Sequence, residues 1–230
     1  MSYSKFVLSL CFIVVSVVAI GQKKETRSVG SFTEISLGIS ANVYLKQGNT
    51  IHLELEGYEE DLQKIITEVD GDRLRIKHDG KWFGGWKQEK VNIYITMPII
   101  EGLSVSGSGD IVGEGKFKSN HLDLSISGSG DIDLDIETGD VEVSISGSGD
   151  IKLAGKCDLV DVRISGSGKF DAREMVAKSC EIKIAGSGTC YVHATESIES
   201  KVSGSGDIYY LGDPKQVNNS SAGSGKIKKM

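Results

Sequence analysis

Hydrophobic and polar residues alternate along most of the chain, and the alternation is tied to a recurring Gly-Ser-Gly triplet. The triplet occurs seven times between residues 107 and 225, at intervals of 18 to 21 residues. Apolar residues occupy the positions two, four and six before its first glycine and the positions four and six after it. This period of two predicts β-strands with one buried face, whereas helical repeats need apolar residues every three to four positions.

A repeat of about nineteen residues predicts one coil of a parallel β-helix or β-solenoid, an all-β fold with about seven stacked coils. We expect residues 102–230 to form this stack. The clearest inward column contains Ile126, Ile145, Ile164 and Ile184. Both glycines of each triplet also have the inward parity, so we interpret the triplet as a corner without core side chains. In the last repeat Asn219 and Ser221 stand at inward positions, which predicts a polar terminal coil.

Residues 22–101 lack the triplet but keep the strand pattern, so we expect a β-rich start and cap of the solenoid. The alternation is clear in residues 35–39, 51–55, 73–77 and 91–95. Residues 59–67 are the helical candidate, with Leu62, Ile65 and Ile66 on one face.

The first 21 residues are predicted to be a signal peptide that is cleaved after Gly21. The uncharged apolar run of residues 6–20 is too short for a membrane-spanning helix and suits the core of a signal peptide. An uncleaved N-terminal anchor is the alternative. A lipoprotein needs a cysteine at the cleavage point, and Cys11 lies inside the apolar run after Leu10. We therefore expect an exported chain without lipid or transmembrane span, located in the periplasm, at the cell surface or outside the cell.

The composition and charge of the chain exclude some classes of protein and of binding partner. Glycine supplies 29 of 230 residues and proline only 2, which excludes a collagen-like or proline-rich chain. The formal charge of −6 argues against nucleic acid as a partner, because a phosphate backbone attracts basic surfaces. The predicted mature chain keeps Cys157, Cys180 and Cys190, an odd number that predicts no complete disulfide framework. Cys180 and Cys190 have inward parity and are expected to be small buried apolar residues.

An aspartate follows the triplet in four repeats. The four are Asp110, Asp131, Asp150 and Asp207. Stacked carboxylates could bind a hard cation, or they could accept hydrogen bonds at the corner and stay solvated. Few ligands are available at each site, so we expect corner hydrogen bonds and no metal. The four histidines are far apart in the sequence and give a zinc site little support.

The densest aromatic cluster is Trp82, Phe83 and Trp86, around a Gly-Gly pair that predicts a hairpin turn. These three residues are the candidate partner-binding site, because exposed aromatic side chains anchor interfaces. Packing of the same rings over the end of the solenoid is the alternative. The sequence contains no nucleophile elbow, phosphate-binding loop or dinucleotide fingerprint, so we predict no catalytic residue and no cofactor.

Four segments together resemble a bacterial family of exported proteins. They are residues 32–35, 74–77, 93–98 and 103–110, the last of which contains the first triplet and its aspartate. On these segments the chain resembles the "putative auto-transporter adhesin, head GIN domain" family over most of residues 28–227. The resemblance implies adhesion at the cell surface, and it supplies no catalytic or binding residues.

The leading hypothesis is a non-enzymatic exported protein of the cell envelope, acting as an adhesin or as a structural or binding module. Its expected partner is an envelope glycan or protein. A carbohydrate-active enzyme on a β-helix is one alternative, because such folds host polysaccharide-degrading enzymes. An ion-binding or small-ligand-binding protein is the other. Serine and aspartate residues that repeat at regular intervals do not provide the converging acid and base groups that an enzyme needs.

Overall fold

The structure is a computed structural model and describes residues 22–80 and 90–230. Strands account for most of these residues. In chain order the strands are β1 (Lys23–Thr26), β2 (Glu34–Leu37), β3 (Ala41–Gln47), β4 (His52–Gly57), β5 (Ile65–Asp70), β6 (Arg73–His78), β7 (Val91–Met97), β8 (Gly102–Val105), β9 (Asp110–Lys118), β10 (His121–Ile126), β11 (Ile132–Glu137), β12 (Asp140–Ile145), β13 (Asp150–Ile164), β14 (Lys169–Ile184), β15 (Thr189–Gly204), β16 (Asp207–Leu211), β17 (Gln216–Gly223) and β18 (Ile227–Lys229). A short helix, α1 (Glu59–Leu62), lies between β4 and β5. The all-β fold predicted from the alternation is therefore confirmed.

Parallel strands form two walls that run along the solenoid. Wall A contains β6, β2, β8, β10 and β12, followed by the second halves of β13, β14 and β15 and by β17. Wall B contains β7, β3, β9 and β11, followed by the first halves of β13, β14 and β15 and by β16 and β18. Each Gly-Ser-Gly triplet joins wall A to wall B, so one repeat is one coil, as predicted.

The inward column predicted from the sequence forms without a gap. Ile126 pairs with Ile145, which also pairs with Ile164, and Ile164 pairs with Ile184. All four side chains are at most 1% exposed and belong to one continuous core. Burial of a side chain of this size contributes about 1.5–3 kcal/mol, so the stacked columns drive folding. The central serines of the triplets are exposed, as their outward parity predicts.

The N-terminal strands enter the stack out of sequence order. Strand β2 lies between β6 and β8, and β3 lies between β7 and β9, so the first coil along the chain is the second in space. Beyond these coils the pairing changes, because β4 is antiparallel to both β7 and β1, and β5 is antiparallel to β6. Antiparallel strands therefore form the N-terminal edge of both walls.

The helix predicted over residues 59–67 is wrong in its second half. Helix α1 ends at Leu62, and Ile65 begins strand β5, which pairs with β6 along its whole length. The β-branched residues that follow Ile65 favour a strand, and pairing with β6 outweighs a short helical periodicity. Leu62 and Ile65 are both buried, so the apolar character of the segment still serves the core.

Backbone crowding explains why the triplets contain glycine. A Cβ atom added to Gly147 would lie under 3.0 Å from the carbonyl oxygen of Gly128 in the preceding coil and 2.9 Å from its carbonyl carbon. The second glycine of that triplet, Gly149, meets the carbonyl oxygen of Gly130 in the same way. The missing side chain of Gly147 would meet the backbone of the preceding coil, whereas that of Gly149 would also lie 3.0 Å from Cγ2 of the core residue Ile126. The inward direction predicted for both glycines therefore fits the second glycine of the triplet better than the first. Among the triplet glycines, a positive φ occurs only at the C-terminal ends of β15 and β17.

The C-terminal coil is polar, as predicted. Every residue of β17 is exposed, and Val217, at an inward position, is 39% exposed. The inward column one coil earlier already contains Ser200, which is buried and donates a hydrogen bond to Asn219 Oδ1 at 2.7 Å. Polar inward residues at this end oppose strand-on-strand association with other chains.

Candidate functional site

The corner opposite the triplets, where wall B turns into wall A, forms an open groove along the solenoid. The groove has a volume of about 680 Å³ and extends from Lys118 and Asn120 to Lys178 and Thr195. Its residues belong to five successive coils. Its length is therefore about 19 Å at a strand spacing of about 4.8 Å. We call this feature the corner groove.

Variation in coil length falls mainly within wall B and leaves the coils in register along most of the corner groove. The triplets recur at 18 to 21 residues rather than at a fixed interval, so some coils carry extra residues. The resulting register shifts fall in wall B, between Asp133 and Asp135 in β11 and between Lys152 and Ala154 in β13. Between β14 and β15 a further shift follows Ala172. At the groove itself Glu137 pairs with Lys118 and with Lys156, so equivalent residues of successive coils stack along it.

Lysines and carboxylates alternate along the corner groove. Glu137 lies between Lys118 and Lys156, with its Oε atoms 3.9 Å and 3.0 Å from the two ammonium groups. Lys178 Nζ lies 2.6 Å from Asp158 Oδ1. The hydrogen bond from Lys156 lowers the pKa of Glu137, and the hydrogen bond to Asp158 raises the pKa of Lys178. The groove thus presents charges of both signs, and because these side chains are exposed, a ligand can displace their weak pairing.

Hydroxyl and amide groups line the rest of the groove together with apolar residues, among them the exposed Val176 and the buried Ala177. Thr138 Oγ1 donates to the carbonyl oxygen of Asp140 at 3.4 Å, and Thr195 Oγ1 donates to that of Ala177 at 3.2 Å. A neighbouring apolar pocket beside Phe117 has a volume of only about 10 Å³. That volume has room for about one water molecule and none for an acyl chain. The arrangement suits an extended polar ligand.

The aromatic site predicted at Trp82, Phe83 and Trp86 lies outside the described residues and stays a prediction. Its position in the chain is between β6 and β7.

Sequence reasoning missed the corner groove. Its signal in the sequence is the set of lysines and threonines that recur where wall B ends.

The aspartates that follow the triplets accept hydrogen bonds at the corner, as expected. Asp131 Oδ1 accepts the backbone N–H of Asp150 at 2.8 Å, and Asp150 Oδ1 accepts that of Lys169 at 3.0 Å. Asp110 accepts the N–H of Asp131 at 3.3 Å. A lysine pairs with the carboxylate at each end of this column. Lys90 Nζ lies 2.9 Å from Asp110 Oδ2, and Lys169 Nζ lies 2.9 Å from Asp150 Oδ2. The carboxylates thus tie each coil to the next.

The three cysteines of the described chain are free thiols buried in the core. Burial raises the pKa of Cys157 and of Cys180 to about 12, and it raises the pKa of Cys190 well above its ordinary value. A buried, protonated thiol is a poor nucleophile and a poor metal ligand. The prediction that Cys180 and Cys190 are small apolar core residues is confirmed.

Two pairs of tyrosines stack on the outer face of wall B, a feature that sequence reasoning missed. The ring centres of Tyr44 and Tyr94 are 5.3 Å apart, and those of Tyr191 and Tyr209 are 5.1 Å apart. Lys24 Nζ lies 5.0 Å from the centre of the Tyr94 ring. Because neighbouring rings cover each other's faces, they offer a ligand little open ring surface, and we treat them as ladders that support the wall.

The two walls, the triplet corner and the corner groove define a parallel β-solenoid with a lateral groove. The chain belongs to the family described as "Putative auto-transporter adhesin, head GIN domain", whose model matches residues 31–214. The resemblance inferred from the sequence is confirmed. Among curated proteins, no sequence matches the chain significantly. Within residues 22–80 and 90–230, no helix is long and apolar enough to cross a membrane.

Solved structures share the fold over nearly the whole chain. A "putative adhesin" from Bacteroides fragilis is 28% identical, with a TM-score of 0.85 over 91% of this chain and 97% of its own. A "putative lipid binding protein" from Parabacteroides distasonis is 25% identical, with a TM-score of 0.73 over the same shares of the two chains. A "putative adhesin" from Parabacteroides merdae is 19% identical over 91% of this chain and 96% of its own, with a TM-score of 0.73, and is similar in fold alone.

Proposed function

We propose that the protein is a non-enzymatic binding module, exported to the cell envelope, that holds an extended envelope glycan in the corner groove. The observation that carries the proposal is the groove itself. Its open space of about 680 Å³ crosses five coils and is lined by charged, hydroxyl and amide groups and by apolar residues such as Val176, against which the apolar face of a sugar ring can pack. An adhesive role is supported by the family and by the relative from Bacteroides fragilis.

The chemistry of the groove favours a glycan over a lipid. The hydroxyl groups of Ser119, Thr138 and Thr195 can exchange hydrogen bonds with sugar hydroxyls along its length, as can the amide of Asn120. The relative from Parabacteroides distasonis is described as a "putative lipid binding protein". The apolar pocket beside the groove, at about 10 Å³, is nevertheless too small for a lipid chain. A polar linear ligand is therefore the better fit.

The paired charges of the groove support a non-enzymatic role. A glycosidase needs one carboxyl group with a raised pKa, which protonates the leaving group. Lys156 lowers the pKa of Glu137 instead, and Asp158 is paired with Lys178. Carboxylates held in this way suit electrostatic binding of a ligand better than proton transfer.

A glycan array with two matched variants tests the proposal. Thr138→Trp fills the corner groove, whereas Ser148→Trp places the same ring at an exposed triplet corner. We expect the wild type and Ser148→Trp to bind the same glycans and Thr138→Trp to lose them, with both variants folded by circular dichroism. Equal binding by the two variants would exclude the groove as the site.

Two further outcomes would contradict the proposal in different ways. If the wild type binds no glycan but binds phospholipid vesicles, the ligand is a lipid. If incubation with a bound glycan releases new reducing ends, the protein is an enzyme.

A further inference from the structure

Three side chains with metal-binding groups converge on the outer face of wall A. His121 and Asp123 are two residues apart on β10 and therefore lie on the same side of the strand. Glu142 on β12 pairs with Asp123 in parallel register. One ligand atom from each residue lies within 4.8 Å of the others, and His121 Nε2 is 3.3 Å from Asp123 Oδ1.

We propose that His121, Asp123 and Glu142 form a binding site for a divalent transition metal such as Zn²⁺. Two ligands of a tetrahedral zinc ion are separated by about 3.4 Å when the bonds are about 2.1 Å long, close to the observed distance between His121 and Asp123. One imidazole and two carboxylates are a ligand set that zinc accepts in proteins. Ca²⁺ prefers six to eight oxygen ligands and is disfavoured here.

The sheet holds these ligands in place before a metal binds. Strand β10 is paired with β12 along its whole length and with β8 from Asp123 onward, so the backbone of Asp123 is held on both sides and that of His121 on one. Leu122 and Val141, which alternate with the ligands along the two strands, are buried in the core and fix the strands from below. All three ligand side chains are exposed, so a bound metal keeps open positions for water or for an external ligand.

The imidazole distinguishes this site from the other carboxylates of wall A. The column that contains Asp123 and Glu142 continues in later coils with Asp161, Glu181 and Glu199. Asp161 is held by Arg163 at 2.5 Å, whereas the same arginine lies 3.8 Å from Glu142. The His121 end of the column therefore combines a nitrogen ligand with carboxylates that are less fully paired. The inference is independent of the proposed glycan binding.

Calorimetric titration of Zn²⁺ into the purified protein, without a polyhistidine tag, tests the site. We expect one ion per chain, and we expect His121→Ala and Glu142→Gln each to weaken binding about tenfold or more, as losses around zinc sites do. Two controls should bind as the wild type does. Glu181→Gln removes a carboxylate of the same column two coils away, and His52→Ala removes an exposed histidine from β4.

A spectroscopic readout separates metal ligation from a change in folding. Co²⁺ bound by His121 gives visible absorption bands that His121→Ala abolishes, while far-UV circular dichroism stays unchanged. The proposal is wrong if the wild type binds no stoichiometric Zn²⁺, or if His121→Ala binds as tightly as the wild type. Equal weakening by the His52 control, or displacement of Zn²⁺ by an equal concentration of Ca²⁺, would also overturn it.

Discussion

Replacement of Gly147 by alanine tests the backbone crowding at the triplet corner. The added methyl group would lie under 3.0 Å from the carbonyl oxygen of Gly128 and 2.9 Å from its carbonyl carbon, whereas ordinary contact begins at 3.4 Å. The obstacle is backbone, which cannot rotate away as a side chain can. The two coils would have to separate where the Ser148 N–H donates to the Gly128 carbonyl oxygen at 3.0 Å.

Two penalties add up in Gly147→Ala. Overpacking in a rigid environment costs about 1–3 kcal/mol. Loss of the hydrogen bond between Ser148 and Gly128 costs about 0.5–1.5 kcal/mol more. Alanine also restricts the unfolded chain, which increases the free energy of unfolding by only about 0.4–1 kcal/mol. We expect a net loss of about 2–3 kcal/mol, which is a large share of the roughly 5–15 kcal/mol of a typical domain.

Urea denaturation followed by far-UV circular dichroism measures this loss. Gly30→Ala is the matched control, because among the described residues nothing lies within 4 Å of a Cβ atom built at Gly30. Alanine there should be neutral or stabilise by up to about 1 kcal/mol. If Gly147→Ala unfolds at the same urea concentration as Gly30→Ala, the crowding argument is wrong.

Buried residues and the apolar N-terminal run give three more tests. Ile145→Asp buries an unpaired carboxylate and should cost several kcal/mol, whereas Ser148→Ala at an exposed position should cost less than about 1 kcal/mol. Equal denaturation midpoints would contradict the inward and outward assignment. Cys157 and Cys180, whose pKa values burial raises to about 12, should react with a disulfide reagent at pH 8 only after urea is added; fast native reaction would show open access. The mature chain should begin at Gln22 without lipid, and an uncleaved or lipidated chain by intact mass would refute this.

The coils could be predicted from the sequence because their information is local. Alternation around Ile145 and the same alternation one repeat away fix both the buried face and the register. The order of the N-terminal coils could not be predicted, because the pairing of β2 with β6 and β8 depends on contacts between distant segments. The direction of the missing glycine side chains also depends on the preceding coil, which a single repeat does not reveal.

The surface sites could be predicted from the sequence only in part. Asp123 and Glu142 are one repeat apart, so the register of the coils already places them side by side, and His121 is two residues from Asp123. A search for histidines at ligand spacing misses these three residues, because the set contains one histidine and its other members come from two neighbouring strands. The corner groove could not be predicted, because only the pairing of the strands shows that Lys118, Glu137 and Lys156 stack at one corner.

The aspartate column gives a last test, which separates a hydrogen-bonding role from a cation site. Asp131 Oδ1 accepts the N–H of Asp150 at 2.8 Å. Where lysine replaces the aspartate, the next coil uses another acceptor, since the Thr189 N–H donates to the Gly168 carbonyl oxygen at 3.2 Å. A substitute acceptor thus exists, so Asp131→Ala should cost about 1 kcal/mol or less, and Asp131→Asn, which keeps an oxygen, still less.

Thermal melts with excess calcium and with a calcium chelator complete this test of the column. Because backbone N–H groups and lysines already engage the carboxylates of Asp110, Asp131 and Asp150, we expect the two melting temperatures to agree. Calcium at a hundred times its dissociation constant would add about 2.7 kcal/mol. In a chain of this size, that gain would raise the melting temperature by about 5–11 °C. A rise of this size that Asp131→Asn abolishes would show that the triplet corners bind a cation, and the hydrogen-bonding role would then be secondary.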